Sequence, residues 1–126
     1  VMGMLASTRY LEDQPVKILI LGNHSGATHT HEDKGSFVLE CAGETFAMDP
    51  GTCTYANPLS VVVKHAQRHN MLVPRGCPER PAPDNPIFSD IKPIGRGDQK
   101  QFQASMTLTP GWESYYNGVR RLRTVL

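Results

Sequence analysis

Two histidines one residue apart, His29 and His31, are the residues of this sequence with the clearest capacity for chemistry. On an extended backbone, a His-x-His step points both rings to the same side. Neutral imidazole is the commonest metal-binding side chain in proteins, and aspartate is a frequent further ligand of zinc. The residue types alone therefore make His31, Asp49 and another histidine candidate metal ligands. The alternative is that these histidines are ordinary surface or hydrogen-bonded residues.

A predicted β-hairpin brings Asp49 towards the two histidines. Ala42-Gly43 is a plausible two-residue turn, although alanine is not the favoured first residue of such turns. Its register would pair Cys41 with Glu44, Leu39 with Phe46, Phe37 with Met48 and Ser36 with Asp49. Because side chains alternate between faces, one face would be bulky and apolar and is expected to be core. Its members are Phe37, Leu39, Phe46 and Met48.

The remaining elements are read as short strands separated by turns, in keeping with ten prolines and eleven glycines. Strands are expected over residues 16–21, 71–73, 102–108 and 119–126, with a broken pair over 87–94. Residues 59–63 are ambiguous and could be a short strand, and residues 64–70 could be a helical turn or an irregular loop. Residues 74–86 are expected to form a proline-rich loop. Residues 1–15 carry little pattern. Residues 1–126 are thus predicted to form a single all-β domain, an antiparallel β-sandwich with long loops.

Composition limits the classes of function. A net charge of +1 gives no field that would attract nucleic acid or an anionic membrane surface. There is no apolar run of membrane-spanning length and no signal peptide, and the first residue, Val1, suggests an excised domain. Three cysteines cannot all pair with one another; Cys53 and Cys77 could form a disulfide, which the sequence does not decide.

Two families that use His-x-His fit poorly. The metallo-β-lactamase pattern His-x-His-x-Asp-His is nearly present, but Lys34 stands in place of its last histidine and a loop replaces the strand expected before it. The cupin pattern needs a glutamate a few residues after the second histidine. That window holds Lys34, Gly35 and Ser36.

A third resemblance is stronger. Several separated motifs occur in the order found in the heparinase II/III family of polysaccharide lyases, and the resemblance extends over roughly residues 16–126. The motifs are His29-x-His31-x-Asp33-x-x-Ser36-Phe37, the turn at Gly43, Asp49-Pro50-Gly51-Thr52, His69-Asn70 and the closing stretch 120–125.

The resemblance implies a fold and an activity for a longer parent protein. Members join an N-terminal helical toroid to a C-terminal β-sandwich and cleave uronic-acid-containing polysaccharides, such as glycosaminoglycans or alginate, by β-elimination. This chain would be the sandwich module without the helical domain, inactive or nearly so alone. Its expected partners are an acidic polysaccharide, the missing helical domain and a second copy of itself. The parent is expected to be periplasmic or secreted.

The resemblance also assigns roles to residues. His31, Asp49 and His69 would hold a zinc ion with a structural role, and Asn70 would support their loop. His29 would face the cleft as a catalytic and substrate-binding residue. Tyr55 would be the catalytic tyrosine, or else a packing residue. Lys64 stands where the family has arginine, which keeps a charge for the substrate carboxylate but loses bidentate recognition.

Two further functions remain open at this point. One is a non-catalytic carbohydrate-binding or structural β-sandwich that keeps the motif for stability. The other is a self-contained metal-dependent hydrolase or oxygenase built on the His-x-His step.

Overall fold

A computed structural model of the chain describes residues 3–22, 31–76, 92–109, 112 and 123–125, without the side chains of the last three. In these residues it contains seven strands, one short α-helix and one 3-10 turn. The elements are β1 (Met4–Leu11), β2 (Gln14–Leu21), β3 (Phe37–Cys41), β4 (Glu44–Ala47), α1 (Leu59–Val62), the 3-10 turn (Ala66–Arg68), β5 (Ile94–Gly97), β6 (Phe102–Thr107) and β7 (Arg123–Val125).

The strands form two antiparallel sheets, ordered β1-β2-β3-β4 and β5-β6-β7. The predicted all-β, antiparallel fold is therefore confirmed, whereas face-to-face sandwich packing stays a prediction. No helix in the described part of the chain has the length and apolar character needed to cross a membrane.

Both sheets contribute side chains to one hydrophobic core. Ile20 of β2 packs with the apolar face of β6 and with Leu108, Trp112 and Ala66. The alternation predicted for β6 is confirmed, since Ala104 and Met106 are at most 3% exposed while Gln103 and Thr107 face solvent. Burying each large aliphatic side chain contributes about 1.5–3 kcal/mol. Because Ala66 belongs to this core, the 3-10 turn is fixed against the sheets.

The predicted turn at Ala42-Gly43 is confirmed, but the register beyond it is wrong. Both residues have positive φ, 51° and 84°, as a tight hairpin turn of the I′ type requires. Cys41 pairs with Glu44 as predicted, but a bulge between Leu39 and Glu40 makes Leu39 pair with Ala47 instead of Phe46.

The bulge leaves Phe46 as the extra, unpaired residue of β4 and shifts the pairing beyond it by one residue, so the faces predicted from Phe46 onwards do not hold. Phe46 and Met48 are 70% and 71% exposed, so the prediction that they belong to the core is wrong. Because β4 ends at Ala47, the pairs predicted further along the hairpin are not formed in the ladder.

Other predicted elements also change. Met4–Leu11, which carries little sequence pattern, is a strand paired with β2 over its whole length. The short strand suggested for the ambiguous residues 59–63 is instead the helix α1, and Asn57 Oδ1, just before that helix, accepts a hydrogen bond from Leu59 N at 2.9 Å. Residues 71–73 are not a strand. β7 confirms part of the strand predicted over 119–126, whereas β5 shares only Ile94 with the strand pair predicted over 87–94, and residues 92 and 93 are not strand. The remaining residues of both stretches, like residues 77–86 of the proline-rich loop, lie outside the described part.

Candidate functional site

His31, Asp49 and His69 lie together in the structure, although they come from three separate segments. His69 Nδ1 is 2.8 Å from Asp49 Oδ2. The centroids of the His31 and His69 rings are 5.5 Å apart, and the rings are tilted by 48°. His31 precedes β3, Asp49 follows β4 and His69 follows the 3-10 turn. The fold thus gathers the predicted metal ligands at one end of the first sheet; we refer to these three residues as the His–Asp cluster.

Asn70 ties together the segments that carry two members of the cluster. Its side-chain Nδ2 donates to Met48 O at 2.9 Å and to Phe37 O at 3.1 Å. Its own carbonyl accepts from Phe37 N at 3.2 Å. Because Met48 precedes Asp49 and Asn70 follows His69, these bonds set the distance between the carboxylate and the imidazole. The supporting role expected of Asn70 agrees with these contacts.

The carboxylate of Asp49 is held from its other side as well. Its Oδ1 accepts a hydrogen bond from Gly51 N at 2.8 Å. Gly51 has a φ of 72°, a conformation that glycine adopts without steric cost. Both carboxylate oxygens are therefore engaged, one by the turn that follows Asp49 and one by His69.

Residues 31–36, the segment that begins with His31, are held by hydrogen bonds to β2 and to the loop around Lys64. Glu32 N donates to Lys64 O at 2.9 Å, and Ala66 N donates to Glu32 Oε2 at 3.3 Å. Gly35 N donates to Leu21 O at 2.7 Å, which joins the segment to the end of β2. The backbone of residues 31–36 is thus held between the 3-10 turn and the sheet, so the position of His31 is set by tertiary contacts.

Burial governs the protonation of His31. It lowers the pKa of the imidazole, and the neighbouring His69 and Lys64 lower it further, while Asp33 and Asp49 oppose the shift. A lowered pKa favours the neutral ring, which is the form that binds a metal ion. Lys34 behaves similarly, since burial lowers the pKa of its ammonium group against the opposing carboxylates of Asp33 and Glu32.

The buried Nε2 atom of His69 shows whether the residue types of the cluster suit a metal ion. The side chain of His69 is fully buried, and its Nε2 atom has no hydrogen-bond partner among the described residues. A buried imidazole nitrogen without a partner is costly unless it binds something. The Asp49 carboxylate contacts the other nitrogen of the same ring, and the His31 ring lies beside it. Two imidazoles and a carboxylate form a donor set that zinc accepts. The residue types therefore fit the ion.

The side chains of the His–Asp cluster are not positioned around a common point where one ion could bind all three. No three His, Cys, Asp or Glu side chains in the described part of the chain are arranged to hold a metal ion. One reason is that Asp49 Oδ2 contacts His69 Nδ1 directly. An ion shared by all three residues requires their side chains to rotate from these positions.

Two of the other predicted site residues lie together beside the cluster. Tyr55 is 73% exposed, and Lys64 Nζ lies 5.1 Å from the centre of its ring. Lys64 also acts electrostatically on His31, as its effect on the pKa of that ring shows. Tyr55 is therefore a surface residue next to a cation. His29 lies outside the described residues, so its predicted position in the cleft is not described.

The structure also reveals a buried residue that sequence reasoning did not assign to the site. Lys34 is 1% exposed, its Nζ donates to His31 O, and the same atom lies 3.0 Å from Asp33 Oδ1. In the sequence, Lys34 stands out only as a residue that departs from the metallo-β-lactamase and cupin patterns, and neither departure predicts that its side chain is buried. Cys41 and Cys53 are free thiols, both half-buried, and Cys77 lies outside the described part.

Fold and site together define an antiparallel all-β domain that gathers two histidines and an aspartate at one end of a four-stranded sheet. The family model described as heparinase II/III-like, C-terminal, matches residues 16–78, which are 63 of the 126 residues. The chain belongs to this heparinase II/III-like C-terminal family, and its membership indicates a polysaccharide lyase module whose substrates are acidic polysaccharides. No curated protein matches the chain.

Proposed function

We propose that this domain is the β-sandwich module of a polysaccharide lyase that acts on uronic-acid-containing glycans by β-elimination. In this proposal it holds zinc through the His–Asp cluster and forms one wall of the active-site cleft, with a helical domain of the parent protein forming the other. The parent acts in the periplasm or outside the cell, where such glycans are met.

The convergence of His31, Asp49 and His69 is the observation that carries the proposal. These residues are separated by 18 and 20 positions in the sequence, yet they meet at one place. The family match covers all three. A zinc ion held there would add positive charge and tie together the loops before β3, after β4 and after the 3-10 turn.

The chemistry of β-elimination explains the residues that surround the cluster. A base removes the proton at C5 of the uronate, a double bond forms between C4 and C5, and the bond from C4 to the leaving oxygen breaks. That oxygen then takes up a proton. The uronate carboxylate must be neutralised while negative charge develops, because the proton at C5 is otherwise too weakly acidic.

Lys64 and Tyr55 are suited to these steps. Lys64 supplies a positive charge that can neutralise the carboxylate, with His29 as a second substrate-binding group. The phenol of Tyr55 is exposed, so it can reach a bound glycan and exchange a proton with it, and Lys64 Nζ lies 5.1 Å from the centre of its ring. Among the proposed ligands His69 is buried and His31 and Asp49 are half-buried, whereas Tyr55 is exposed, which agrees with a structural role for the ion.

Zinc content tests the metal site. Zinc is measured in purified wild-type protein and in the variants His31→Ala, Asp49→Ala and His69→Ala, with Glu44→Ala as a control on the exposed end of the same hairpin. We expect about one zinc per wild-type chain, unchanged in Glu44→Ala and lost in the three cluster variants. Wild-type levels of zinc in all three cluster variants would rule out this site.

Activity is tested in the full-length parent protein, because the isolated domain is expected to be inactive. Absorbance of the unsaturated uronate product reports turnover. Tyr55→Phe keeps the aromatic ring but removes the phenol, so we expect binding of acidic oligosaccharides to persist while turnover falls by at least about 100-fold, as for loss of a general acid or base.

A non-catalytic carbohydrate-binding module is the second candidate, and the exposed ring of Tyr55 beside Lys64 favours it. An exposed aromatic ring can stack on a sugar, and the ammonium group can pair with a uronate. In that case Tyr55→Phe leaves every activity of the parent unchanged, whereas Tyr55→Ala weakens glycan binding. The two variants together separate the two candidates.

A further inference from the structure

Lys34 is a lysine buried almost completely, which is unusual for this residue type. It is 1% exposed as a residue, and its side chain is 2% exposed. Removing an ammonium group from water costs several kcal/mol unless it is paired and hydrogen-bonded. Such a position therefore calls for a specific set of partners.

Those partners connect Lys34 to the His–Asp cluster. Its Nζ atom donates to the backbone carbonyl of His31 and lies 3.0 Å from Asp33 Oδ1. The ammonium group thus closes a short loop from residue 31 to residue 34. The carbonyl that it holds belongs to the residue whose ring faces His69 at a centroid distance of 5.5 Å.

The loop from residue 31 to residue 34 is anchored by backbone hydrogen bonds near both of its ends. Ser36 N donates to Asp33 O at 2.9 Å, and Leu21 N donates to Ser36 O at 2.9 Å. On the side of residue 31, Glu32 N is bonded to Lys64 O. Lys34 spans the gap between these two anchored ends and fixes the carbonyl orientation of His31.

We propose that Lys34 is a positioning residue of the metal site, which holds His31 in the orientation needed to share an ion with His69. Lys34 is neither a ligand nor a substrate-binding group, because its Nζ atom is engaged by the His31 carbonyl and by Asp33 and is buried away from solvent. This inference rests on the proposed zinc site. Partners that orient metal ligands in this way typically change metal affinity 10–100-fold when they are removed.

Zinc affinity is the first test, measured by competition with a chromogenic chelator. Lys34→Met keeps the length and apolar part of the side chain but removes its charge and its donors. We expect zinc affinity to fall about 10–100-fold. Lys17→Met is the matched control, because Lys17 also pairs with a carboxylate, at 3.6 Å from Glu40, but is 58% exposed. It should bind zinc as the wild type does.

A second variant separates positioning from general stability. Asp33→Asn removes the ion pair but leaves the bond from Lys34 to the His31 carbonyl. We expect it to lower the free energy of unfolding with a much smaller effect on zinc affinity than Lys34→Met. Equal losses of affinity in the two variants would mean that Lys34 acts only through the ion pair, which would overturn the inference.

A measurement without zinc keeps this inference distinct from the metal proposal. In zinc-free protein, the nuclear Overhauser effect between the ring protons of His31 and His69 reports their proximity. We expect it to weaken in Lys34→Met and to persist in Lys17→Met. If the wild type binds no zinc but this effect still depends on Lys34, the metal proposal fails and the positioning role stands. If zinc binds equally well in Lys34→Met and the effect is unchanged, the positioning role fails and the metal proposal stands.

Discussion

His69 Nδ1 lies 2.8 Å from Asp49 Oδ2, across 20 residues of sequence. The contact fixes which ring nitrogen of His69 is engaged by protein and leaves its buried Nε2 atom without a partner among the described residues. In the zinc-free protein the contact holds the His69 ring in place, and Asp49 has to rotate away from Nδ1 before both residues can bind one ion.

The contact between Asp49 and His69 should also stabilise the metal-free protein. Asp49→Ala leaves a buried imidazole nitrogen without its partner, which costs about 1–3 kcal/mol of unfolding free energy. Urea unfolding of zinc-free protein measures this loss. Glu44→Ala, at an exposed position of the same hairpin, should stay within about 0.5 kcal/mol of the wild type. Equal stabilities of the two variants would show that the contact contributes nothing.

Asn70 should be as important to the site as its ligands. Asn70→Ala removes the hydrogen bonds to Phe37 O and Met48 O, and we expect a loss of about 1–3 kcal/mol in unfolding free energy. The released Asp49 segment should also shift the NMR signals of the His69 ring. A stable variant with unchanged His69 signals would contradict the bridging role of Asn70.

Gly35 and Gly43 allow the free-energy cost of backbone strain to be separated from the cost of overpacking the core. Both have positive φ, 100° and 84°, so alanine at either position is strained by roughly 1 kcal/mol. At Gly43 nothing lies within 4 Å of an added Cβ, whereas at Gly35 an added Cβ would overlap the side chain of Leu108 at its Cδ2 atom. We therefore expect Gly35→Ala to destabilise the protein by at least about 1 kcal/mol more than Gly43→Ala, from overpacking.

Thermal or urea unfolding of the two glycine variants measures this difference. Leu108→Ala, although destabilising alone, removes the atoms that an alanine at position 35 would contact. In the double variant, the added cost of Gly35→Ala should fall towards that of Gly43→Ala, which is a measurable coupling between the two sites. If the losses in unfolding free energy of Gly35→Ala and Leu108→Ala simply add in the double variant, the cost of Gly35→Ala does not come from contact with Leu108.

Asp98, in the turn between β5 and β6, should make the unfolding free energy fall at acid pH, because the turn favours its ionised carboxylate. Backbone N–H groups of Lys100 and Gln101 donate to its carboxylate and lower its pKa from the usual 3.8, with a smaller effect from Arg9. Because the folded pKa is lower than the unfolded one, the stabilisation is fully present above the unfolded pKa. It is lost as the pH falls through the folded pKa.

Asp98→Asn tests this dependence, since the amide keeps an acceptor oxygen but does not ionise. The difference in unfolding free energy between wild type and variant should be constant near neutral pH and should shrink as the pH falls below about 4. Urea unfolding at a series of pH values, with Glu44→Gln as a control at an exposed carboxylate, measures it. A difference that does not vary with pH would show that the turn does not favour the ionised carboxylate.

The sequence by itself determined the features that depend on neighbouring residues. The turn at Ala42-Gly43 follows from the backbone freedom of Gly43 between two strand-forming segments, and β6 follows from strict alternation between Phe102 and Leu108. The all-β class follows from the abundance of short alternating segments and turns. The motifs that place the chain in its family are also local strings, and they include each of the three residues that the fold later gathers.

Tertiary structure decided what depends on distant partners. The bulge between Leu39 and Glu40, which turns Phe46 outwards, is absent from the alternating pattern. β1 is a strand because it pairs with β2, not because its own residues alternate clearly. Lys34 looks like a surface residue in the sequence, but its acidic neighbours and the His31 carbonyl stabilise it in the interior. Long-range packing and hydrogen bonding set these features, since their free energies arise only when the segments meet.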